Sequence, residues 1–514
     1  MNSSRTNITI VNSLWGFVEK TITFICPFVV RTILIYRMGA DYSGVGSLFA
    51  SVLSFLNLAE LGFSNAIIFH MYKPIADSDH QKICSLLNVY KKAYRVIGIF
   101  VLTLGLIITP FIPKLIKDDI PSGINIYIIY LVFLFNSVVG YFLFSYKTSI
   151  LSAYQREDVL SKNLLIYNLL LCFMQCVAIV LSKNYYLFVL AVPFCTIFLN
   201  FLNNLEVKKK YPYLEPNGDI SEDEKKTLRK ELYGLMIWKL GGASRNSFDG
   251  MFISALVGLV AITSYDNYFQ IVNFVSAMIG VLCTSINAGV GYKIASKSIE
   301  ENFEDFKRFH FLYMWITGWC TVCIFCLIQP FMKIWMGEDL MLPFGMVVLF
   351  CYYFFMMKKG DINSIYYHAS GLWWEGKYRS VFEAILNLVL NYYLGVRYGL
   401  FGIIIATIIS FSVVNIYGAS IVFTKYFKNK KYYIYILENL FFLFVTSLSC
   451  YVTYFLGNTF IGILDISSDL INLLVFLMIC ITLPNVIMLL IYGCFSQYRK
   501  NVSYVFWALK GFVK

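Results

Sequence analysis

The chain has 514 residues, and 59% of them are A, V, I, L, M, F, W, Y or C. Soluble proteins contain roughly 45–50% apolar residues even when glycine is counted. Only 14% of this chain is charged, against about 25% in a soluble domain, and its mean hydropathy is +0.67. The composition excludes a soluble enzyme.

Fourteen apolar segments are long enough to cross a bilayer, which takes about 20 apolar residues per helix. They cover residues 12–36, 42–70, 95–113, 124–146, 163–182, 185–206, 235–258, 267–292, 309–332, 343–368, 378–396, 398–423, 434–456 and 470–495. We therefore predict an all-α polytopic membrane protein with about fourteen transmembrane helices.

The connections between these segments differ in basic charge. With the N-terminus inside, the inner segments hold 30 of the 42 Lys and Arg residues and the outer loops hold 6. Cytoplasmic loops carry an excess of positive charge, so both termini are predicted to be cytoplasmic. This asymmetry and anionic headgroups also explain the net charge of +12, which is therefore no argument for nucleic-acid binding.

Cys320, Cys323 and Cys326 form a CxxCxxC repeat, a spacing that can ligate iron–sulfur clusters. The repeat lies within a predicted span and has no fourth ligand nearby, so we interpret it as helix packing and predict no metal. The sequence also lacks the glycine-rich phosphate loop that binds ATP. Energy for any transport would therefore come from an ion gradient (H⁺ or Na⁺) or from removal of the substrate.

A polar stretch at 207–234 separates six predicted helices from eight. The two sides resemble each other, because Tyr42 corresponds to Tyr265 and Asn168 to Asn387, and the two offsets in the numbering nearly agree. Weak internal symmetry of this kind is typical of transporters built from repeats; chance similarity between apolar segments is the alternative. We predict a six-helix lobe at 1–206, a cytoplasmic linker at 207–234, a second lobe at 235–426, and two further helices with a tail at 427–514.

Several charged residues fall inside predicted spans. A charge at a helix centre costs about 2.5–3.5 kcal/mol on insertion scales, so each should face a cavity or a partner. Lys20 and Arg31 are eleven residues apart in the first helix, nearly whole turns, and so share a face. Pro27 between them predicts a kink, and Gly241 and Gly242 in the seventh span are a second predicted bending point.

Two pairs of opposite charges are spaced for contact on one helix. Arg245 and Asp249 are four residues apart; they are either a buried ion pair that fixes packing or a switchable pair, in which substrate takes the arginine and Asp249 takes H⁺ or Na⁺. Lys358 and Asp361 are three apart and can pair. Lys359 points about 100° away, which makes it the better ligand candidate unless both lysines snorkel to headgroups.

Polar residues also follow helix faces. Glu60 lies beneath the stripe Ser47, Ser51, Ser54 and Asn57, and Asn273 begins a similar stripe in the eighth span. Such stripes indicate either close helix packing or a hydrophilic groove for sugars. Glu383, Asn387 and Asn391 recur every four residues on the eleventh helix, and their role is open.

The predicted outer loops are short, at most roughly fifteen residues, which counts against a membrane-embedded glycan polymerase. Arginine holds phosphate through two parallel hydrogen bonds and lysine through a point charge, so we predict a cavity for a phosphate-linked amphiphile. Its proposed residues are Arg31, Arg245, Lys359, Lys20, Asn57 and Asn273, and the ion-coupling candidates are Glu60, Asp249, Asp361 and Glu383. Glu60 and Asp249 keep open the alternative of an ion-coupled exporter of drugs or metabolites.

Several segments of the chain resemble a known family. The segments that carry the resemblance are 31–39 (RTILIYRMG), 42–67 (YSGVGSLFASVLSFLNLAELGFSNAI), 71–74 with the basic loop that follows, 265–268 (YDNY) and 383–388 (EAILNL). They resemble the polysaccharide transporters, or Wzx-type lipid-linked oligosaccharide flippases, of the multidrug/oligosaccharidyl-lipid/polysaccharide exporter (MOP) superfamily. Asp266 departs from that pattern, since similar chains often have a small polar residue there.

The resemblance implies a MATE-like pair of six-helix lobes that open alternately to each side of the bacterial inner membrane. It implies that an undecaprenyl-pyrophosphate-linked glycan (O-antigen, capsule or exopolysaccharide) moves from the cytoplasmic to the outer leaflet, with H⁺ or Na⁺ coupling in some relatives. Implied partners are membrane lipids, a polysaccharide polymerase and chain-length machinery, but no nucleic acid.

Overall fold

A computed structural model describes residues 2–60, 63–372, 375–376, 378–428, 432–464 and 468–502. Throughout these residues the regular structure is helical, without strands. The chain divides into two compact units, Met1–Thr263 and Ser264–Lys514. The all-α fold class predicted from the sequence is confirmed.

The first unit contains nine helices and the start of a tenth within the described ranges. They are α1 (Asn2–Met38), α2 (Ala40–Leu56), α3 (Phe63–Ala76), α4 (His80–Ile108), α5 (Ile126–Phe142), α6 (Thr148–Ala153), α7 (Glu157–Val177), α8 (Tyr185–Lys210), α9 (Glu222–Leu256) and α10 (Leu259–Ser296). α1 packs on α7, α2 on α9, and α4 and α8 on α5.

The second unit contains the rest of α10 and six further helices in its described part. They are α11 (Ile299–Met336), α12 (Phe344–Lys359), α13 (Asp361–Ala369), α14 (Arg379–Ile421), α15 (Tyr432–Leu464) and α16 (Asp469–Cys494). α11 packs on α12, α15 and α16, and α15 packs on α16. A buried cluster that includes Phe311, Met314, Phe442 and Cys480 fills the space between α11, α15 and α16.

Each of the fourteen predicted segments lies on one of these helices or on two in succession. By length and composition, seven helices in the described ranges can cross a membrane, or eight if the bent pair Ile126–Phe142 and Ser145–Ala153 is one span. α2 and α12 are apolar but have only 17 and 16 residues, because each ends where the structure interrupts a longer predicted span.

The second predicted span is not one continuous helix. α2 ends at Leu56 and a 3₁₀ turn, Asn57–Glu60, follows before α3 begins at Phe63. Non-helical backbone at membrane depth occurs only where protein or a water-filled cavity surrounds it, so this break marks a polar site inside the first unit. The predicted boundary between the eleventh and twelfth spans appears within α14, where Gly399 has φ 56° and ψ −134°.

The predicted linker is folded onto the first unit. Residues 211–221 lie along α4, with the Asn217 N–H donating to the Cys84 carbonyl at 3.3 Å, and Leu214 and Ile220 are buried. A capping box between Ser221 and Glu224 then starts α9, and α9 belongs to the first unit. The lobe boundaries predicted from sequence similarity remain a prediction.

Acidic residues of this connection meet lysines of the first unit. Glu215 lies 3.2 Å from the buried Lys147, and Glu224 binds Lys82. Hydrogen bonds from Lys82 and Ser221 lower the pKa of Glu224 to about 2, because they favour its charged form. The predicted inner segments 71–94, 147–162 and 207–234 thus meet at one end of this unit.

The predicted outer loops also meet each other. The Asp118 carboxylate accepts from the Leu259 N–H at 3.0 Å and so caps the start of α10, and the Tyr42 hydroxyl donates to the Ser122 carbonyl at 2.5 Å. Gly44 lies so close to Leu259 that a Cβ there would collide with the Leu259 carbonyl. These predicted outer loops of the first unit thus meet, and the side of the membrane that they face stays a prediction.

Candidate functional site

A carboxylate occupies the break in the second predicted span. Both oxygens of Glu60 accept hydrogen bonds from tyrosines, at 2.5 Å from Tyr94 on α4 and at 2.7 Å from Tyr141 on α5. Tyr90 donates to the Tyr94 hydroxyl at 2.7 Å. At the other end of the turn, the Asn57 side-chain oxygen accepts from Ser137 and Tyr141. Glu60 and Asn57, which were predicted to have different roles, therefore share one hydrogen-bond network.

The second unit holds a similar carboxylate. Asp361, at the start of α13, accepts a hydrogen bond from the Tyr313 hydroxyl of α11 at 2.5 Å. The Cys283 thiol of α10 lies 4.0 Å from the same oxygen. Lys358 adds an ion pair to Asp361 at 3.0 Å and donates to the Ser276 carbonyl at 3.2 Å. The contact between Lys358 and Asp361 that their spacing allows is thus formed.

These two clusters occupy corresponding positions in the sequence. Tyr94 and Tyr313 are separated by the same offset as Asn168 and Asn387, and Glu60 and Cys283 by the same offset as Tyr42 and Tyr265. The offset between Tyr141 and Asp361 lies between these two values. The sequence interpretation missed the tyrosines, because an isolated tyrosine in an apolar helix is usually an interfacial or packing residue. Applying the repeat offset to Tyr94, which leads to Tyr313, was the signal that could have found this pair.

Arg31 contributes to packing within the first unit. Its guanidinium donates to the Thr263 carbonyl at 3.1 Å, and the Thr263 hydroxyl donates to the Ala40 carbonyl at 2.6 Å. Arg31 is half-buried, so it lies where the end of α1 and the first turn of α10 meet. A guanidinium carries five N–H donors, and this contact uses one of them.

Lys20 and its neighbour differ sharply in exposure. The Lys20 side chain is 78% exposed, whereas Glu19 is buried, with its carboxylate 3.5 Å from the Lys20 amine. Thr23 donates to Glu19 at 2.8 Å and Asn168 of α7 donates to Thr23 at 2.7 Å. Glu19 is a buried carboxylate that was not among the predicted site residues. The helix pattern pointed to its neighbour Lys20 instead, because Lys20 shares a helix face with Arg31.

Arg245 and Asp249 are both buried on α9 in the first unit. The helix continues without interruption through Gly241 and Gly242. A Cβ added to Gly242 would meet nothing within 4 Å, so packing does not require glycine there. Pro27 lies inside α1 and is exposed. The predicted hinge roles of these residues remain predictions.

The remaining predicted residues lie in the second unit. Lys359 is half-buried at the end of α12, without an ion pair to any residue in the described ranges, and Asn273 is exposed on α10. Glu383 is buried on α14. Asn387, one turn further on, donates to the Thr407 hydroxyl at 3.2 Å and accepts from Asn391 at 3.2 Å. The polar face of the eleventh span is therefore buried against the twelfth.

Across the described part of the chain, no three His, Cys, Asp or Glu residues are grouped so that they could hold a metal ion. Cys326 is fully buried in the cluster between α11, α15 and α16, and Cys323 packs against that cluster. This placement agrees with the interpretation of the CxxCxxC repeat as helix packing.

No family model and no curated protein matches the sequence. Solved structures do match the fold. The structure described as lipid II flippase MurJ in an inward closed conformation has a TM-score of 0.68 and 13% identity, and covers 94% of this chain and 99% of its own. The fold is that of MurJ and the MATE transporters.

Two other transporter structures match a smaller share of the chain. An inward-facing multidrug resistance MATE transporter of the MOP superfamily has a TM-score of 0.58 and 13% identity, and covers 82% of this chain and 99% of its own. A MOP superfamily transporter from Pyrococcus furiosus has a TM-score of 0.54 and 13% identity, covering 80% of this chain and 94% of its own. The chain is thus a polytopic membrane protein with a transporter fold.

Proposed function

We propose that this chain is a MOP-superfamily flippase that moves undecaprenyl-pyrophosphate-linked oligosaccharide repeat units from the cytoplasmic to the outer leaflet of the bacterial inner membrane. The products would be precursors of O-antigen, capsule or exopolysaccharide, delivered to a polymerase and its chain-length machinery. Both termini are cytoplasmic in this proposal. The chain is a transporter and carries out no covalent chemistry.

The observation that carries the proposal is the extent of the fold match. The MurJ likeness covers 94% of this chain and the MATE likeness 82%. The part of the chain by which the MurJ match exceeds the MATE match is close in length to α15 and α16 together, which have 33 residues and 26 residues. A fold that matches a lipid flippase over nearly its whole length favours a lipid-linked substrate over a small drug.

Intramembrane cations supply the chemistry for such a substrate. Arg31, Arg245 and Lys359 bind the pyrophosphate in the inward-open state, since arginine and lysine are the usual partners of phosphate oxygens. Lys20 extends this basic lining toward the cytoplasm. Asn57 and Asn273 face the sugars, and the polyprenyl tail stays in lipid.

Alternating access then exposes the headgroup to the outside. Bending at Pro27 in α1 and at Gly241 and Gly242 in α9 closes the inner opening, as proline and paired glycines are common sites of helix bending. A proton or sodium gradient drives the cycle through one of the four carboxylates predicted to couple ions, Glu60, Asp249, Asp361 and Glu383. No step requires ATP.

The test is the leaflet position and structure of undecaprenyl-linked oligosaccharide in cells with and without the protein. Accumulation of complete repeat units on the cytoplasmic face, reversed by the wild-type chain, is the expected result. Truncated or missing lipid-linked glycan would instead identify a biosynthetic enzyme. An unchanged pool together with gradient-driven efflux of small cations would identify the drug or metabolite exporter.

The test variant and its matched control both lie on α1. Arg31→Ala is expected to leave the glycolipid on the cytoplasmic face, while Arg37→Ala, which removes an exposed arginine near the end of α1, leaves translocation intact. Equal amounts of correctly inserted protein are required for each. Normal translocation by both Arg31→Ala and Arg245→Ala would overturn the assignment of the pyrophosphate site.

A further inference from the structure

We propose that Glu60 is the proton-coupling group of this transporter, and that Lys358 permanently takes the place of that proton at the equivalent site of the second unit. The proposal rests on the proposed transport function and decides between two of the four candidate carboxylates, Glu60 and Asp361. It follows from comparing the two clusters of carboxylate and tyrosine position by position.

The two clusters use three corresponding places in the repeat. The first place holds Glu60 or Cys283, in the second predicted span of each half, and the second holds Tyr94 or Tyr313, whose offset equals that of Asn168 and Asn387. The third holds Tyr141 or Asp361. In each unit the tyrosine of the second place donates to a carboxylate at 2.5 Å. The carboxylate has changed its place within the cluster, while the arrangement of donor and acceptor is preserved.

The clusters differ in how the carboxylate charge is balanced. Asp361 has the ammonium of Lys358 at 3.0 Å, and the Lys358 side chain is only 7% exposed. Among the residues the structure describes, Glu60 has tyrosine partners and no Lys, Arg or His within ion-pair distance. An uncompensated carboxylate inside a membrane protein is costly, so Glu60 requires a cation from outside. Asp361 does not, because its cation is covalently attached to the chain.

The elements packed against the turn that holds Glu60 bring several titratable groups to this region. These elements include α2, α4, α5 and α9. Tyr90 and Tyr94 face the site from α4 and Tyr141 from α5. α9 contributes the buried Arg245 and Asp249, whereas the hydrogen bonds that reach Glu60 from the described residues come from Tyr94 and Tyr141. The tyrosines therefore define the immediate surroundings of the carboxylate.

The geometry favours a proton over a metal ion. Both oxygens of Glu60 already accept a hydroxyl hydrogen, and the Tyr94 oxygen accepts one from Tyr90, so each carboxylate oxygen keeps one further lone pair. A proton needs only one such lone pair, whereas a metal cation needs several oxygen ligands. A tyrosine hydroxyl is both donor and acceptor. When Glu60 gains a proton on one oxygen, the hydroxyl of the adjacent tyrosine rotates to accept that hydrogen and gives up its own hydrogen bond to that oxygen. The net change is one added proton, and no covalent bond is broken.

The site is placed to transmit this change. Its turn interrupts the second span between α2 and α3, and α9 packs against the same turn. Phe55, just before the turn, contacts Phe248 of α9 with ring centroids 5.3 Å apart. Protonation therefore changes the hydrogen bonding of a broken helix that touches α9, the helix that carries the proposed hinge at Gly241 and Gly242.

The first test needs no substrate. Infrared difference spectroscopy on the full-length protein in lipid nanodiscs records the C=O band of protonated carboxylic acid as the pH is changed. A titrating band is expected in the wild type, to be lost in Glu60→Gln and kept in Asp361→Asn. Lys358→Met is expected to add a second titrating carboxyl, and the double variant Lys358→Met/Asp361→Asn to remove it again. An unchanged band in Glu60→Gln would overturn the proposal.

The double variant also controls for folding. Lys358→Met alone leaves Asp361 without its cation, whereas the double variant removes both charges together. Melting temperatures near that of the wild type for Glu60→Gln and the double variant establish that the spectra report on folded protein. If Lys358→Met does not fold, the loss of the band in Glu60→Gln and its retention in Asp361→Asn still decide the proposal.

The second test uses translocation in proteoliposomes. An imposed pH gradient is expected to accelerate wild-type translocation of undecaprenyl-linked oligosaccharide, and Glu60→Gln is expected to lose that acceleration while keeping gradient-independent movement. Acceleration by a Na⁺ gradient at constant pH, lost in Glu60→Gln, would overturn the choice of a proton. Absence of any translocation by the wild type would contradict the transport function, while the infrared result would still decide whether Glu60 binds a proton.

Discussion

Tyr94 and Tyr313 donate equivalent hydrogen bonds to Glu60 and Asp361, with an oxygen-to-oxygen distance of 2.5 Å in each case. They lie on helices of different units, separated by the same offset as Asn168 and Asn387. This equivalence supports the internal repeat more directly than the match between apolar segments does, because it concerns specific donors and acceptors. It also shows where the halves diverged, since Lys358 balances only the second carboxylate.

Removal of the Tyr94 hydroxyl should destabilise the first unit. Tyr94→Phe deletes the donor to Glu60 and the acceptor of Tyr90, and a buried polar group left unsatisfied costs about 1–3 kcal/mol. We expect a lower melting temperature in lipid nanodiscs. Tyr127→Phe, at an exposed position on α5, is the control and should melt like the wild type. Equal melting of the two variants would contradict the network around Glu60.

Sequence patterns predicted the helices well because each needs about 20 apolar residues, whatever its neighbours are. All fourteen segments lie on helices, and the boundary between 378–396 and 398–423 falls at Gly399. The break at Asn57–Glu60 was not predicted, because the stripe above Glu60 also fits a continuous helix. Its cause is tertiary, since Ser137, Tyr94 and Tyr141 from other helices hydrogen-bond to the two ends of the turn.

The turn between α9 and α10 should not tolerate a side chain. Gly258 has φ +135°, and a Cβ there would collide with the Asp118 carboxylate that caps α10. A residue held in such a conformation costs of order 1–3 kcal/mol, to which the collision adds. Gly258→Ala should therefore lower the melting temperature. Gly280→Ala, where a Cβ meets nothing within 4 Å, should not, and similar losses for both would contradict the cap.

Docking of the inner connection should weaken in acid. The pKa of Glu224 is lowered from 4.5 to about 2, first by its hydrogen bond from Lys82, so its contribution is complete above pH 4.5. It is lost as the pH falls from 4.5 towards 2. The pKa of Asp219 is also lowered, mainly by Lys225, and its contribution has the same sign.

Hydrogen exchange of residues 211–225 measures this docking. Protection in the wild type should fall between pH 4.5 and about pH 2 after correction for the intrinsic exchange rate. Glu224→Gln should be less protected at neutral pH and should change less with pH. An unaltered pH profile in Glu224→Gln would show that the pairing with Lys82 does not hold the connection in place.

The candidate site was predicted in part. Charged and amide residues within apolar segments are recognisable from sequence, and Glu60, Asn57, Lys358 and Asp361 do form hydrogen-bonded or ionic contacts. Their partners could not be predicted, because a tyrosine hydroxyl is identified as a ligand only when the packing of α4, α5 and α11 is known. The structure also gives Lys20 and Arg31 different surroundings, although helix geometry places them on one face.

Binding of the substrate should depend on the shape of the Arg31 side chain as well as on its charge. A hydrogen bond to a charged group contributes about 1.5–3 kcal/mol, so Arg31→Ala should weaken binding of undecaprenyl pyrophosphate about tenfold to 150-fold. Arg31→Lys should restore only part of the affinity, because lysine lacks the planar pair of donors. Full binding by Arg31→Ala would reduce Arg31 to a packing residue.

The glycine pair in α9 gives a prediction in which stability and transport change in opposite directions. Gly242→Ala adds a Cβ that meets nothing within 4 Å and raises helix propensity by about 1 kcal/mol, so the melting temperature should stay the same or rise. If α9 bends at this point during transport, the same variant should slow translocation, because alanine resists the change in backbone angles. Gly280→Ala on α10 makes the same replacement in equally open surroundings and should leave the rate unchanged. Equal rates for the two variants would place the hinge elsewhere.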